Sequence, residues 1–353
     1  MSDTRYPYDT LHAFAVDCLV AAGLADDQAR QAIDVLLLAD LRGVASHGLG
    51  RLQMYVTRIC DGFDNPNAAL DVLRETPVSL ALDGNLGFGL LIGPEAMRRT
   101  IAKARESGIC MTTVRRSNHF GTAGTYARMA AEEGLGGMAM TNATRLVVPT
   151  NGKAPRLGTN PIGFAVPTTG DPFVLDMSTS TVPWGKIEIA RRAGLPIPPG
   201  WGVDADGRST TDPEQVTALT PLGGTNEMSG HKGYGMAMLV EILAGPLGGN
   251  VWSNHVARPK EQDTPPGTGH FFMAWRIDLF RDPEEFRMEM DSMCRELRET
   301  PTAENAGGPV LVPGDPELEA ERRNRAEGIP VAPGLVLELR GVAERLGVAH
   351  PFG

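Results

Sequence analysis

The stretch LRGVASHGLGR, Leu41 to Arg51, sets Ser46, His47 and Arg51 among Gly43, Gly48 and Gly50. If the Ser46 hydroxyl caps a helix, His47 and Arg51 stand four residues apart and project from neighbouring points on one face. An imidazole titrates near neutrality and exchanges a proton, while a guanidinium fork holds a carboxylate through two parallel bonds. That pairing suits a 2-oxo acid. The same residues also read as a capping serine, a structural histidine and a surface arginine, and on this stretch alone both readings stay open.

A second histidine, His119, lies in RRSNHFGTAGTYA, where a strand ends and a helix of small residues begins. Strand ends commonly carry reactive groups. Polar residues also gather in LGTNPIGFAVP (Thr159, Asn160) and in LDMSTSTVPWGKIEIA (Asp176, Ser178, Thr179, Ser180, Lys186). Their hydroxyls suit a ribose or phosphate, although such groups in turns often bond their own backbone. His231 and Lys232 open a glycine-rich helix, where free amides and the dipole favour an anion. No histidines or cysteines stand at metal-ligand spacing, and there is no G-x-S-x-G. His12 and His350 read as structural.

GFGLLIG, with Gly87, Gly89 and Gly93, imitates a dinucleotide fingerprint, and Arg115 and Arg116 end the next strand where a 2′-phosphate binder would sit. Against this, Asp83 to Leu86 separate strand from glycines, and Pro94 places the helix start after the third glycine. Close helix packing is the reading preferred.

The elements that must position these groups follow from periodicity. Leu11, Phe14, Ala15, Cys18 and Leu19 share one helical face, with Asp9 or Thr10 as cap, and Asp26 caps a second helix reaching Leu41. A third is expected from Ser46 through Leu52, Tyr55, Val56 and Ile59 to Gly62. From about Pro77 the pattern turns to short strands, VSLAL, ICMTTV, GGMAMT, GFAVP and FVLDM, with helices between them. HKGYGMAMLVEILAGPLGG reads as a long helix, GHFFMAW as a strand and Asp282 to Glu299 as a charged helix. The closing helix has Pro333 in its first turn and Gly347 as its cap. An N-terminal helical segment (1–75) packed with 310–353, and a mixed-sheet domain (76–309), are the expected organisation.

With 353 residues, 42% hydrophobic and 22% charged, the chain suits two lobes sharing a sizeable core. A formal charge of −10 without a basic stripe argues against nucleic acid and anionic membrane as partners. The N-terminus lacks the pattern of a secretion signal, and no apolar run is long enough for a span. Cys18, Cys60, Cys110 and Cys294 are far apart, which points to a reducing compartment. A cytoplasmic location is expected.

RGVASHGLGR, SNHFGTAGTYA, LGTNPIGFAVP, LDMSTSTVPWGKIEIA, IPPGWGVDADGRSTTDP, HKGYGMAMLVEILAG, GHFF and EGIP together resemble, in order, the malate/L-lactate dehydrogenase family. This group also holds sulfolactate, ureidoglycolate and diketogulonate oxidoreductases and a piperideine-2-carboxylate reductase. The resemblance spans about residues 5 to 348. It implies an α/β (α+β) fold with a non-Rossmann, largely antiparallel cofactor sheet and a helical lobe, a homodimer, and NAD or NADP as cofactor. It also sets GFGLLIG aside, because the family uses no such loop.

By that resemblance His47 is the acid/base residue, Ser46 its hydrogen-bonding relay and Arg51 the carboxylate clamp. His119 matches a histidine credited with proton transfer in ureidoglycolate-type members, so the role is shared between two residues. Cofactor contacts fall on Phe120, Gly121, Thr122 and Ala123, on Asp176, Met177 and Ser178, on His231 and Lys232, and on Pro313, Gly314, Asp315, Pro316 and Glu317. Thr159, Trp184 and Gly185 lie beside the substrate. Lys186 stands where the cyclic-imine reductase has an aspartate, and a lysine favours an anionic 2-oxo acid and a developing alkoxide over an iminium. Arg145 is a second cation that favours a dicarboxylate or sulfonate. Hydride transfer at C2 of a small 2-oxo or 2-hydroxy acid is therefore expected. The alternatives are reduction of a cyclic imine acid, and a non-catalytic metabolite-binding protein on the same fold.

Overall fold

The computed structural model describes residues 3–256 and 267–352. A short strand, β1 (Thr4–Tyr6), precedes α1 (Tyr8–Ala21) and α2 (Asp26–Leu41), whose apolar stripes meet. α1 starts one residue before the first expected cap and α2 at Asp26 itself, so Pro7 and Ala25 take the cap positions instead. Leu11, Phe14, Leu19, Ile33, Leu36 and Leu37 are buried between them, each burial contributing about 1.5–3 kcal/mol. The same core takes in α3 (Leu52–Cys60) and the far end of the chain.

A seven-stranded sheet follows, built from β2 (Asp71–Thr76), β3 (Ser79–Asp83), β4 (Ile109–Ser117), β5 (Leu135–Thr141), β6 (Ile162–Val166), β7 (Phe173–Met177) and, after a long excursion, β10 (Thr268–Arg276). The strand order is β2-β3-β4-β10-β5-β6-β7, and among these neighbours only β3 and β4 run parallel. This mostly antiparallel sheet is the reverse of a doubly wound Rossmann sheet, as expected. Helices α4 (Gly89–Ser107) and α5 (Ala123–Glu132) pack on it through Ile92, Met97, Ile101, Tyr126 and Ala130.

A smaller cluster forms around α6 (Trp184–Ala193), with the two-residue strands β8 (Gly202–Val203) and β9 (Ala218–Leu219) beside it. Helix α7 (Gly230–Ala244) leads back toward the sheet. After β10 come α8 (Pro283–Arg298), capped by Asp282, then α9 (Asp315–Glu327), β11 (Ile329–Val331) and α10 (Pro333–Leu346). β11 pairs with β1, and Leu339, Val342 and Phe352 complete the core of α1 to α3. Pro333 and Gly347 take the places expected of them, Gly347 as a left-handed cap.

The glycines of GFGLLIG are packing residues. A Cβ on Gly89 would lie 2.2 Å from the carbonyl oxygen of His119, and one on Gly93 would lie 2.7 Å from the Tyr126 ring. The helix starts at Gly89, earlier than expected, with Pro94 inside it. Arg115 and Arg116 both converge on Asp83, at 2.8 Å each.

Candidate active site

The expected helix from Ser46 does not form. Two 3-10 turns, Ala45–His47 and Leu49–Arg51, stand in its place, and α3 begins only at Leu52. The cause lies in α2: the buried Asp40 carboxylate accepts the Leu49 N–H at 2.6 Å and fills the space a Gly48 Cβ would need, at 2.2 Å. Capping comes from Asp40, not Ser46, and His47 and Arg51 do not share a helical face. They are joined instead through Ser46, whose Oγ lies 2.9 Å from His47 Nδ1 and whose carbonyl accepts from Arg51 Nε at 2.7 Å. Burial pushes the Asp40 carboxyl up to about 7, opposed by the Leu49 amide.

His119 arrives from the end of β4 and stacks on His47, with ring centroids 5.6 Å apart and planes 20° from parallel. Its Nδ1 lies 2.6 Å from the hydroxyl of Tyr55 on α3, and the Gly121 amide donates to the same nitrogen at 3.4 Å. Burial, then Arg51, brings the His47 imidazole down to about 4. His119 is held well below the usual imidazole value by burial first, then by His47, Arg51, His270 and Arg58. Two neutral imidazoles and an exposed guanidinium thus share one mouth.

Three supporting groups carry no chemical signal in the sequence. The periodicity marks Tyr55 only as a helix-face residue, yet it holds His119. Arg58 donates to the buried Asp64 at 2.6 Å and to Asn118 Oδ1 at 2.8 Å, while Asn118 Nδ2 bonds the carbonyls of Leu86 and Gly87. His270 on β10 is fully buried, lies 2.8 Å from both Ser117 Oγ and Thr141 Oγ1, and stacks on Phe120 at 4.3 Å. Burial lowers it to about 3, so it is a neutral strut. Its only sequence signal was a histidine inside an apolar strand.

The cofactor candidates fall on several elements. Asp176 lies one residue before the end of β7, and its Oδ2 accepts the Gly124 amide at 2.9 Å, made possible because Gly124 has no Cβ to meet it. Its residue keeps an open face, yet the protein packed round the carboxyl raises it to about 6, with Glu317 adding and the Gly124 amide and Arg42 opposing. Gly314, at φ +97°, lies against the Val174 carbonyl, which brings the Pro313–Glu317 segment beside β7. Asp315 and Pro316 open α9, and the Asp315 carboxylate is committed to Arg298 at 2.7 and 2.9 Å. His231 and Lys232 are exposed in the first turn of α7. Met177 is half-buried and Ser178 Oγ lies 3.1 Å from Ser180 Oγ. Thr122 Oγ1 bonds Thr125 Oγ1 and Ala123 is buried, while Phe120 is enclosed under the site as a whole, its carbonyl accepting from the Tyr126 hydroxyl.

This donor set fits a nicotinamide dinucleotide. The Asp176 carboxylate, with only Oδ2 used by the Gly124 amide, suits a ribose hydroxyl, and the cationic, uncapped start of α7 suits a diphosphate.

The substrate candidates are less closely gathered. The Thr159 carbonyl takes the Thr179 amide at 2.8 Å, and the neighbouring Asn160 is buried against Ala237 O and Glu241. Trp184, Gly185 and Lys186 open α6, where the Lys186 ammonium lies 5.6 Å over the Trp201 ring. Among the described residues no hydrogen bond or ring contact joins Lys186 to His47 or His119. Arg145 donates to the Asn254 carbonyl at 2.6 Å. No group of three or more potential metal ligands occurs among the described residues.

Residues 6–340 match the malate/L-lactate dehydrogenase family. A malate dehydrogenase of Pyrococcus abyssi is 43% identical, over 98% of this chain and 95% of its own. An L-sulfolactate dehydrogenase of Methanocaldococcus jannaschii is 34% identical over 94% of each chain. The crystal structure of an Entamoeba histolytica malate dehydrogenase superposes with a TM-score of 0.93 at 34% identity, covering 99% of this chain and all of that one (100%). Similarity along the whole length, in sequence and in this mostly antiparallel architecture, makes the chain a member of the malate/L-lactate dehydrogenase family.

Proposed function

We propose that this chain is a 2-hydroxy acid oxidoreductase of the malate or sulfolactate type, using NAD or NADP. The observation that carries this reading is the stacked His47–His119 pair with Arg51 tied to the same turn. Arg51 holds the substrate carboxylate in a charge-assisted fork, and the imidazoles face the C2 oxygen, where the proton is exchanged. Ser46 orients His47 through Nδ1. Bound nicotinamide supplies the hydride acceptor or donor. Asp176, Met177 and Ser178, the 120–123 turn, His231, Lys232 and residues 313–317 hold it, and Thr159, Trp184, Gly185 and Lys186 form the substrate side of the cleft. The malate and sulfolactate dehydrogenases among the relatives favour a substrate with a second anionic group.

The protein works as a homodimer: Met236, Leu239 and Ile242 leave an apolar face of α7 open, with Leu247 and Trp252 beyond it. Four free thiols agree with a reducing, cytoplasmic setting. No described helix is long and apolar enough to cross a membrane.

The test is oxidation of NADH and of NADPH in the presence of oxaloacetate, sulfopyruvate, pyruvate or piperideine-2-carboxylate. Turnover of oxaloacetate or sulfopyruvate above the others supports the reading. Turnover of the imine alone replaces it with cyclic-imine reduction, and saturable cofactor binding without turnover of any of them replaces it with a binding role.

A further inference from the structure

The two stacked imidazoles have different hydrogen-bond partners, and the difference divides their labour. Every hydrogen bond that the described residues make to the His119 ring falls on Nδ1. The Gly121 N–H can only donate, so Nδ1 must present a lone pair to it. A protonated Nδ1 would set two N–H groups against each other. The proton of the neutral ring therefore resides on Nε2. At His47 the partner of Nδ1 is the Ser46 hydroxyl, which rotates to donate or accept and so tolerates either tautomer and the imidazolium.

We propose that Tyr55, with the Gly121 amide, is a positioning residue that fixes His119 as a neutral Nε2–H donor to the substrate's C2 oxygen, leaving proton exchange to His47. This rests on the 2-hydroxy acid reading above. In the oxidative direction the C2 hydroxyl O–H bond breaks and its proton passes to His47 Nε2, while Nδ1–H donates to Ser46 Oγ. The C2–H bond breaks with its electron pair, which leaves as hydride to the nicotinamide. Reduction reverses both transfers. His119 keeps its proton throughout and stabilises charge on the C2 oxygen.

Tyr55 is equipped for this. Its side chain is buried and meets the Phe88 ring edge-on at 5.2 Å, which fixes the direction of the hydroxyl. Burial raises its pKa, so the phenol keeps its proton and remains a donor. Gly121, at φ +81°, holds a backbone conformation that aims its amide back at the ring. The charged and titratable groups acting on His119 are His47, Arg51, His270 and Arg58, all of which oppose a positive ring, and the Asp64 carboxylate is already committed to Arg58.

The experiment is long-range proton–nitrogen NMR on full-length protein labelled with 15N-histidine, from about pH 5.5 to about pH 8.5, a window that spans ordinary histidine titration. His47→Gln and His119→Gln assign the two rings. The expected result is a His119 ring protonated on Nε2 alone across the whole window. Tyr55→Phe should mix the two tautomers and lower kcat by about tenfold, the equivalent of one good hydrogen bond, without changing cofactor affinity. A wild-type His119 protonated on Nδ1, or titrating within the window, overturns the proposal. Should Tyr55→Phe fail to fold, the wild-type spectrum decides alone. A fixed Nε2–H tautomer supports the lock even where no 2-oxo acid is turned over, an outcome that sinks the functional reading instead.

Discussion

The imidazole of His47 lies nearly parallel to that of His119, with centroids 5.6 Å apart, so a charge on one ring directly disfavours a charge on the other. Burial acts in the same direction on both, and for His47 brings the pKa down to about 4 from 6.5. His47 is thus a neutral imidazole over the whole neutral range, the form that the proposed base requires. The pH profile of kcat/KM for hydroxy acid oxidation should rise as the pH increases through about 4 and then stay flat past 6.5. A limb near 6.5 would contradict a depressed His47. His47→Ala should lower kcat by about 10²- to 10⁴-fold with little change in cofactor affinity, as expected for loss of a proton-transfer group.

Arg51 is exposed, and its Nε is spent on the Ser46 carbonyl, which leaves the two terminal nitrogens for the proposed carboxylate clamp. Arg51→Ala should raise KM about tenfold to a hundredfold by removing charge-assisted hydrogen bonds. Arg51→Lys should recover only part of this, because an ammonium lacks the planar fork. Steady-state kinetics with each variant check it, and an unchanged KM for Arg51→Ala would remove the clamp.

How much of this is legible in the sequence depends on the reach of each contact. Strand patterns such as FVLDM and the Pro333 to Gly347 helix are local, and β7 and α10 stand where periodicity placed them. β1 and β11 leave no local pattern because each is three residues long and finds its partner at the other end of the chain. His47, Arg51 and His119 announced themselves by residue type. Their supports did not: Tyr55 is 64 positions from His119, and His270 is 153 from Ser117. The interrupted helix at Gly48 was illegible for the same reason, since a carboxylate from the preceding helix decides it.

That carboxylate gives a prediction in which space and charge are separable. In Gly48→Ala the new Cβ would meet Asp40 at 2.2 Å, so the turn carrying His47 must move. A loss of about 1–3 kcal/mol in unfolding free energy is expected, together with reduced turnover. Asp40→Asn keeps the shape and removes the titration. With a folded pKa near 7, well above the ordinary carboxylate value of 3.8, Asp40 stabilises the fold fully below about pH 3.8, and that contribution is lost as the pH rises through 7. Asp40→Asn should therefore raise the melting temperature relative to wild type at alkaline pH and do so less at acidic pH. Equal differences at both would show that Asp40 does not titrate there.

The Arg58–Asp64 pair is the anchor of the His119 arm, because the same guanidinium that neutralises Asp64 also holds Asn118. Asp64 is 1% exposed, and burial raises its pKa against the opposing pull of Arg58. Removing the arginine leaves an uncompensated buried carboxylate and an orphaned Asn118 carbonyl. Arg58→Met should cost about 3–5 kcal/mol, the usual result of breaking one side of a buried pair. The double variant Arg58→Met, Asp64→Leu should recover much of that stability, since no buried charge remains. It should not recover turnover fully, because Asn118, one residue before His119, keeps its bonds to the Leu86 and Gly87 carbonyls but has lost the Arg58 donor to its Oδ1. Urea unfolding and kcat measured on the same three proteins separate the outcomes: stability and turnover rising together in the double variant would show that the pair supports the fold alone and does not position His119.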